Sequence, residues 1–198
     1  MLQRLHGALE RISRFAVWCG GAALLAAAFM VTVDVFLRKF FSITMSGSDE
    51  ISGYVFAAGT TWAYSYCLLH RSNVRIDALY NFLPQPVKAV LDIVGVTLLL
   101  VYMSLLTDKA IDMFITSWER DSVSIGTLAM PLWIPQLFWV SGLILFVITL
   151  LFVALYALLN LVTGNLERVQ KVAGVPSMEE GIEEETHGMG IKTRTGST

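Results

Sequence analysis

The chain has 198 residues, of which 55% are hydrophobic and 15% charged, and its mean hydropathy is +0.63. An ordinary soluble domain carries about 25% charged residues, and a soluble globule of this size could not bury so much apolar surface. The composition excludes a largely disordered chain, a nucleic-acid-binding domain and most soluble enzymes, and it points to a polytopic membrane protein.

Residues 1–14 carry Arg4, Arg11 and Arg14. They form either a plain charged flank or an amphipathic stretch on the inner membrane surface, with Leu2, Leu5, Leu9 and Ile12 at near-helical spacing. The run from Phe15 to Val33 has no charge and is too long for a signal-peptide core. It predicts an uncleaved first span over about 15–37. Asp34 and Arg38 close it at i, i+4 with the acid first, the favourable order for a helical pair.

Asp49 and Glu50 open the second span, about 50–69, where acids complement a helix N-terminus. The charges at these two ends either terminate helices at the interface, or tie spans one and two through Arg38 and Glu50, or contact a partner. Within the second span Gly53, Ala57, Thr61 and Ser65 repeat at four-residue spacing. Such a small-residue stripe allows close helix approach, inside the protein or against another one.

A third span is expected over about 87–107, with Lys88 and Asp92 paired at i, i+4 and the helix running on as a polar stretch to near Trp118. From Ser122 to Leu166 no charge occurs. Pro131 and Pro135 suit a helix start better than a helix middle. A loop to Pro131 and one long span over about 132–162 follow, with Trp133 and Trp139 as interface anchors. The segment 163–198 holds Glu179, Glu180, Glu183, Glu184 and Glu185 and reads as a cytoplasmic tail, either solvated or a docking element.

The fold class is therefore all-α, with four transmembrane helices. Positive charges favour the cytoplasm. Arg4, Arg11, Arg14, Arg71, Arg75, Lys88, Arg168 and Lys171 fall on one side, against Arg38, Lys39, Lys109 and Arg120 on the other. Both termini are expected inside.

Nothing in the chain suggests catalysis or a cofactor. His6, His70 and His187 avoid span centres, Cys19 and Cys67 stand apart as apolar packing residues, and no phosphate loop or metalloprotease motif occurs. No metal ligands, nucleic-acid contacts or cofactor-binding residues are expected. A self-contained carrier would show charges near the midplane, whereas the charges here keep to span ends. The residues alone point to a non-catalytic membrane subunit; a small homo-oligomeric transporter or channel is the alternative.

A more specific pattern runs along the chain. Arg38 follows span one with Phe40 and Phe41 behind it, and Glu50 opens span two. The loop reads His70-Arg71-Ser72-Asn73-Val74-Arg75-Ile76-Asp77, then Leu79 and Pro84. Ser124, Leu128, Pro131, Trp133, Pro135 and Gly142 approach and enter span four. In order and spacing this resembles the small membrane subunit (Q subunit, DctQ-like) of TRAP transporters, the tripartite ATP-independent periplasmic systems, over about residues 15–162. Asn73 departs from the histidine frequent there.

The resemblance implies two protein partners, a large multi-span membrane subunit (M subunit) holding the substrate and sodium sites and a periplasmic solute-binding protein, besides membrane lipids. It implies ion-driven uptake of an organic acid across a bacterial or archaeal inner membrane, with this chain as fixed scaffold for an elevator. Asp34, Arg38, Glu50, Gly53, Ala57, Thr61, Ser65, Arg75, Asp77, Pro131 and Trp133 are the candidate interface or structural residues.

Overall fold

A computed structural model describes residues 2–70 and 84–162. Over these residues it contains four helices, α1 (Leu2–Phe41), α2 (Ser48–Leu69), α3 (Gln85–Glu119) and α4 (Trp133–Val162), and no strand. Three of them are long and apolar enough to cross a membrane, over His6–Phe41, Val90–Glu119 and Trp133–Leu159. The second helix is also long enough, at about 33 Å. Its glycines, serines and threonines dilute its apolar content. The link 71–83 and the tail from 163 lie outside the described residues, and with them Arg75, Asp77 and the acidic cluster.

Each boundary has a local cause. Ser42 enters the left-handed region at φ 55° and turns the chain out of α1. Gly47 caps α2 at φ 90°, a conformation that favours glycine. Pro84 is extended and a proline sits in the first turn of α3, where no amide hydrogen is needed. Pro135 occupies the first turn of α4 for the same reason.

Between α3 and α4 the chain forms a closed loop rather than further helix. Val123 bridges Pro131, Ser124 N donates to Met130 O at 2.9 Å, and Leu132 N donates to Ser122 O at 2.9 Å. This decides the long uncharged run from Ser122 in favour of one helix.

The helices pack as a row: α1 on α2, α2 on α4, and α4 on α3. The inner pair, α2 and α4, run parallel, as Trp62 meets Phe138 and Tyr64 meets Phe146. The edge helices run antiparallel to their neighbours. Buried residues of α3 recur every seven positions at Val96, Met103, Ala110 and Ser117, and those of α4 at Leu143, Leu150 and Ala157. This heptad spacing gives coiled-coil-like side-chain packing.

The α1–α2 seam works differently. A Cβ on Gly20 would lie 3.2 Å from the Gly59 Cα, so the two backbones are in near contact. The first helix is continuous from Leu2, and near its start Leu9 is buried and His6 stacks on Phe152 of α4 at 5.9 Å. Its far face exposes Phe15, Trp18, Leu25 and Phe29.

Candidate functional site

The charged residues singled out in the sequence converge at the end of the bundle where α1 stops, α2 starts and the 120–132 loop crosses. Asp34 is 1% exposed there. Its Oδ2 accepts from Arg38 Nη2 at 2.7 Å and from Ser48 Oγ at 3.2 Å, and its Oδ1 accepts from the Met45 amide at 2.6 Å. One carboxylate thus fastens the end of α1, the connecting turn and the first residue of α2. A buried carboxylate is tolerated when its oxygens are filled in this way.

Glu50 serves a different joint. Its Oε2 accepts from Ser124 Oγ at 2.9 Å, and the Gly126 amide donates to that serine oxygen at 3.1 Å. The Glu50 carboxylate fills the place a Cβ on Gly126 would take, and Leu128 fills the corresponding place at Gly47. The loop therefore sits directly on the α1–α2 turn.

The expected i, i+4 pair of Asp34 and Arg38 is present. Of the alternatives open for these charges, the direct tie between Arg38 and Glu50 gives way to two separate joints. Arg38 is engaged on its own helix by Asp34, while Glu50 faces the opposite way, toward the loop. Asp34 carries the α1–α2 connection because its short side chain reaches the turn amide from inside the bundle.

The small-residue stripe divides. Thr61 and Ser65 are buried, Ala57 is half-buried, and Gly53 is exposed with open space around its would-be Cβ. A step of four residues overshoots a helical turn by about 40°, so the stripe winds around α2 and cannot keep one neighbour. One close contact falls beside the stripe and one on it, at Thr61. Gly59 faces Gly20 of α1, and a Cβ on Gly142 of α4 would lie 2.5 Å from Thr61 Oγ1 and 2.6 Å from Trp62 Cδ1. Trp62 Nε1 donates to Phe138 O at 2.9 Å and to Ser141 Oγ at 3.1 Å. Gly142 clears the room for that indole.

Pro131 and Trp133 close the same end. Pro131 forms the loop's bridge, and the Trp133 ring meets Trp118 edge-on at 4.8 Å. The second half of α3 carries an ionic triplet missed as a group, with Lys109 Nζ 3.2 Å from Asp108 Oδ2 and 2.9 Å from Asp112 Oδ2. Ser48, Gly126 and Gly59 are the other contributors that the sequence alone did not single out for these roles.

A helical row with long apolar faces, three of its helices able to cross a membrane, defines a multi-pass membrane protein. Residues 27–164 match the family described as tripartite ATP-independent periplasmic transporters, DctQ component. The chain belongs to that family and is a small membrane component of a TRAP transporter. Neither a curated protein nor a solved structure matches it.

Proposed function

We propose that this component is the non-catalytic scaffold of an ion-gradient-driven uptake system for an organic acid. It braces a large elevator-type membrane subunit that receives solute from a periplasmic binding protein. Sodium is the coupling ion in this reading. The membrane is a bacterial or archaeal inner membrane, all four helices cross it, and both termini are cytoplasmic. The α1 start, α2 end, α3 start and α4 end share one end of the row, and this fits the excess of positive charge there.

One observation carries the reading: the apolar stretches of the row are staggered from edge to edge. Trp118 of α3 meets Trp133 of α4, and α4 meets α2 at Gly142. Trp133 to Gly142 is a rise of about 13 Å, and the same step back along α3 from Trp118 reaches Lys109. Lys109 is therefore about level with Thr61, near the Gly20–Gly59 crossing, where α1 and α2 are uncharged.

The triplet is exposed, at 75% for Lys109, 65% for Asp108 and 62% for Asp112. An upright bundle would hold these charges against lipid near the midplane, at a cost of several kcal/mol. A row tilted in its own plane brings them to water at the end held by Asp34 and Glu50, the clasp side, and keeps the α1 face in lipid. A wide oblique slab resists rocking, as the stationary part of an elevator must.

The seat in the membrane is tested by thiol labelling in a background lacking Cys19 and Cys67. Met113→Cys and Gly21→Cys are level in the bundle. An impermeant maleimide added from the clasp side is expected to label the first and spare the second; equal labelling sinks the tilt. The scaffold role is tested by reconstitution. The chain alone is expected to move no solute, and to co-purify with a large membrane subunit. Uptake by the chain alone would establish the homo-oligomeric carrier instead.

A further inference from the structure

Three hydroxyls lie fully buried toward the end of the row opposite the clasp. Ser13 of α1, Ser65 of α2 and Thr149 of α4 are each 0% exposed. Their levels follow from the helix register. Ser13 is two turns from Gly20 toward the start of α1, and Ser65 is just under two turns past Gly59 on the antiparallel α2. They are therefore at one height. Tyr64 meets Phe146, so Thr149 lies within a turn of that height.

The facing is equally constrained. Ser13, Gly20, Ala27 and Asp34 are buried at seven-residue spacing, and Gly20 and Asp34 of this stripe meet α2. Ser65 is one turn past Thr61, which meets α4. The start of α1 swings toward α4, where His6 stacks on Phe152. This register places Ser13 and Ser65 at one height beside the junction of the three helices.

Thr149 donates to Leu145 O at 2.8 Å within its own helix and keeps an accepting lone pair. Ser13 Oγ and Ser65 Oγ have no hydrogen-bond partner in the protein. Buried hydroxyls are rarely left so, and ordered water is the usual partner where several polar atoms converge. A metal cation does not suit the place: among the described residues no group of three or more His, Cys, Asp or Glu side chains could hold one, and Glu10, within a turn of Ser13, is paired with Arg14.

We propose that Ser13 and Ser65 hold one ordered water molecule at the α1–α2–α4 junction, with Thr149 Oγ1 as a third contact. The water fastens the start of α1 to the inner pair by hydrogen bonds that no two side chains make directly. It is the counterpart, at this end, of the Asp34 clasp at the other.

The test is a double-mutant cycle on the full chain, read by thermal unfolding. Ser13→Ala and Ser65→Ala are each expected to lower Tm by about 2–4 °C. The double variant is expected to lose no more than the larger single, because both hydroxyls act through one water. Unchanged singles, or losses that add, overturn the proposal. A high-resolution structure of the unmodified chain decides independently of any folding defect. A density peak about 2.8 Å from both oxygens supports the water, and serines bonded to their own preceding turns with no such peak overturn it.

Discussion

In the α1–α2 hairpin two backbones meet at Gly20 and Gly59, and a buried carboxylate binds the turn. In the α3–α4 hairpin neither glycine meets the facing backbone, as Gly95 has open space and Gly142 faces α2; Met103, Leu143 and Leu150 are buried in one apolar cluster, and an indole pair closes the end. The two seams rest on different physics. In lipid, helix contact gains little from burying apolar surface, so it depends on packing and on hydrogen bonds that lipid cannot replace. The first hairpin concentrates its specificity in a few atoms. The second spreads it over many small dispersion contacts.

Point changes should therefore hurt the first hairpin more than the second. Asp34→Leu has the largest expected effect, a loss of about 3 kcal/mol, because it strands the Met45 amide and the Ser48 hydroxyl in a buried site. Unfolding in detergent measures it. Arg38→Ala should lose less than about 1 kcal/mol, since that arginine is 53% exposed and the carboxylate keeps its other two donors. Equal losses from the two variants would mean that the ion pair, rather than the turn, is what Asp34 holds.

Gly142→Ala, at the α2–α4 seam that joins the two hairpins, comes next, at about 1–3 kcal/mol, because the new methyl meets Thr61 and Trp62. Pairing it with Thr61→Ala should recover part of the loss by removing the nearest atoms; no recovery would place the strain elsewhere. Gly20→Ala is expected to cost about 1 kcal/mol, as the neighbour is backbone that has little room to give. Gly21→Ala, with nothing within 4 Å of the added carbon, should be neutral or slightly stabilising through helix propensity.

The smallest effect belongs to the second hairpin. Met103→Leu conserves shape and should change stability by under about 1 kcal/mol. A larger loss there than at Gly20 would reverse the contrast between the seams.

Much of the fold was legible in residue order. Uncharged runs marked the helices, Pro131 and Pro135 marked the start of α4, and the Asp34–Arg38 spacing gave a real ion pair. The partner of Glu50 was not legible. Ser124 is far away along the chain, and nothing local shows that a loop folds back over the α2 start. The four-residue stripe showed that α2 could be closely approached, but which of its members meet a neighbour depends on how the stripe winds around the helix. The pair Gly20-Gly21 was visible, but which of the two meets α2 depends on helix rotation.

Composition and the spacing of uncharged runs by themselves determined that this chain is a helical membrane protein. They suffice because lipid requires every backbone amide to be satisfied within its own helix, so apolar length alone predicts a span. The order of helices in the row, the Gly20–Gly59 and Thr61–Gly142 crossings and the division of labour between Asp34 and Glu50 were decided only by tertiary structure. Those features depend on which faces meet, and in a lipid solvent hydropathy is nearly blind to the choice between another helix and an acyl chain.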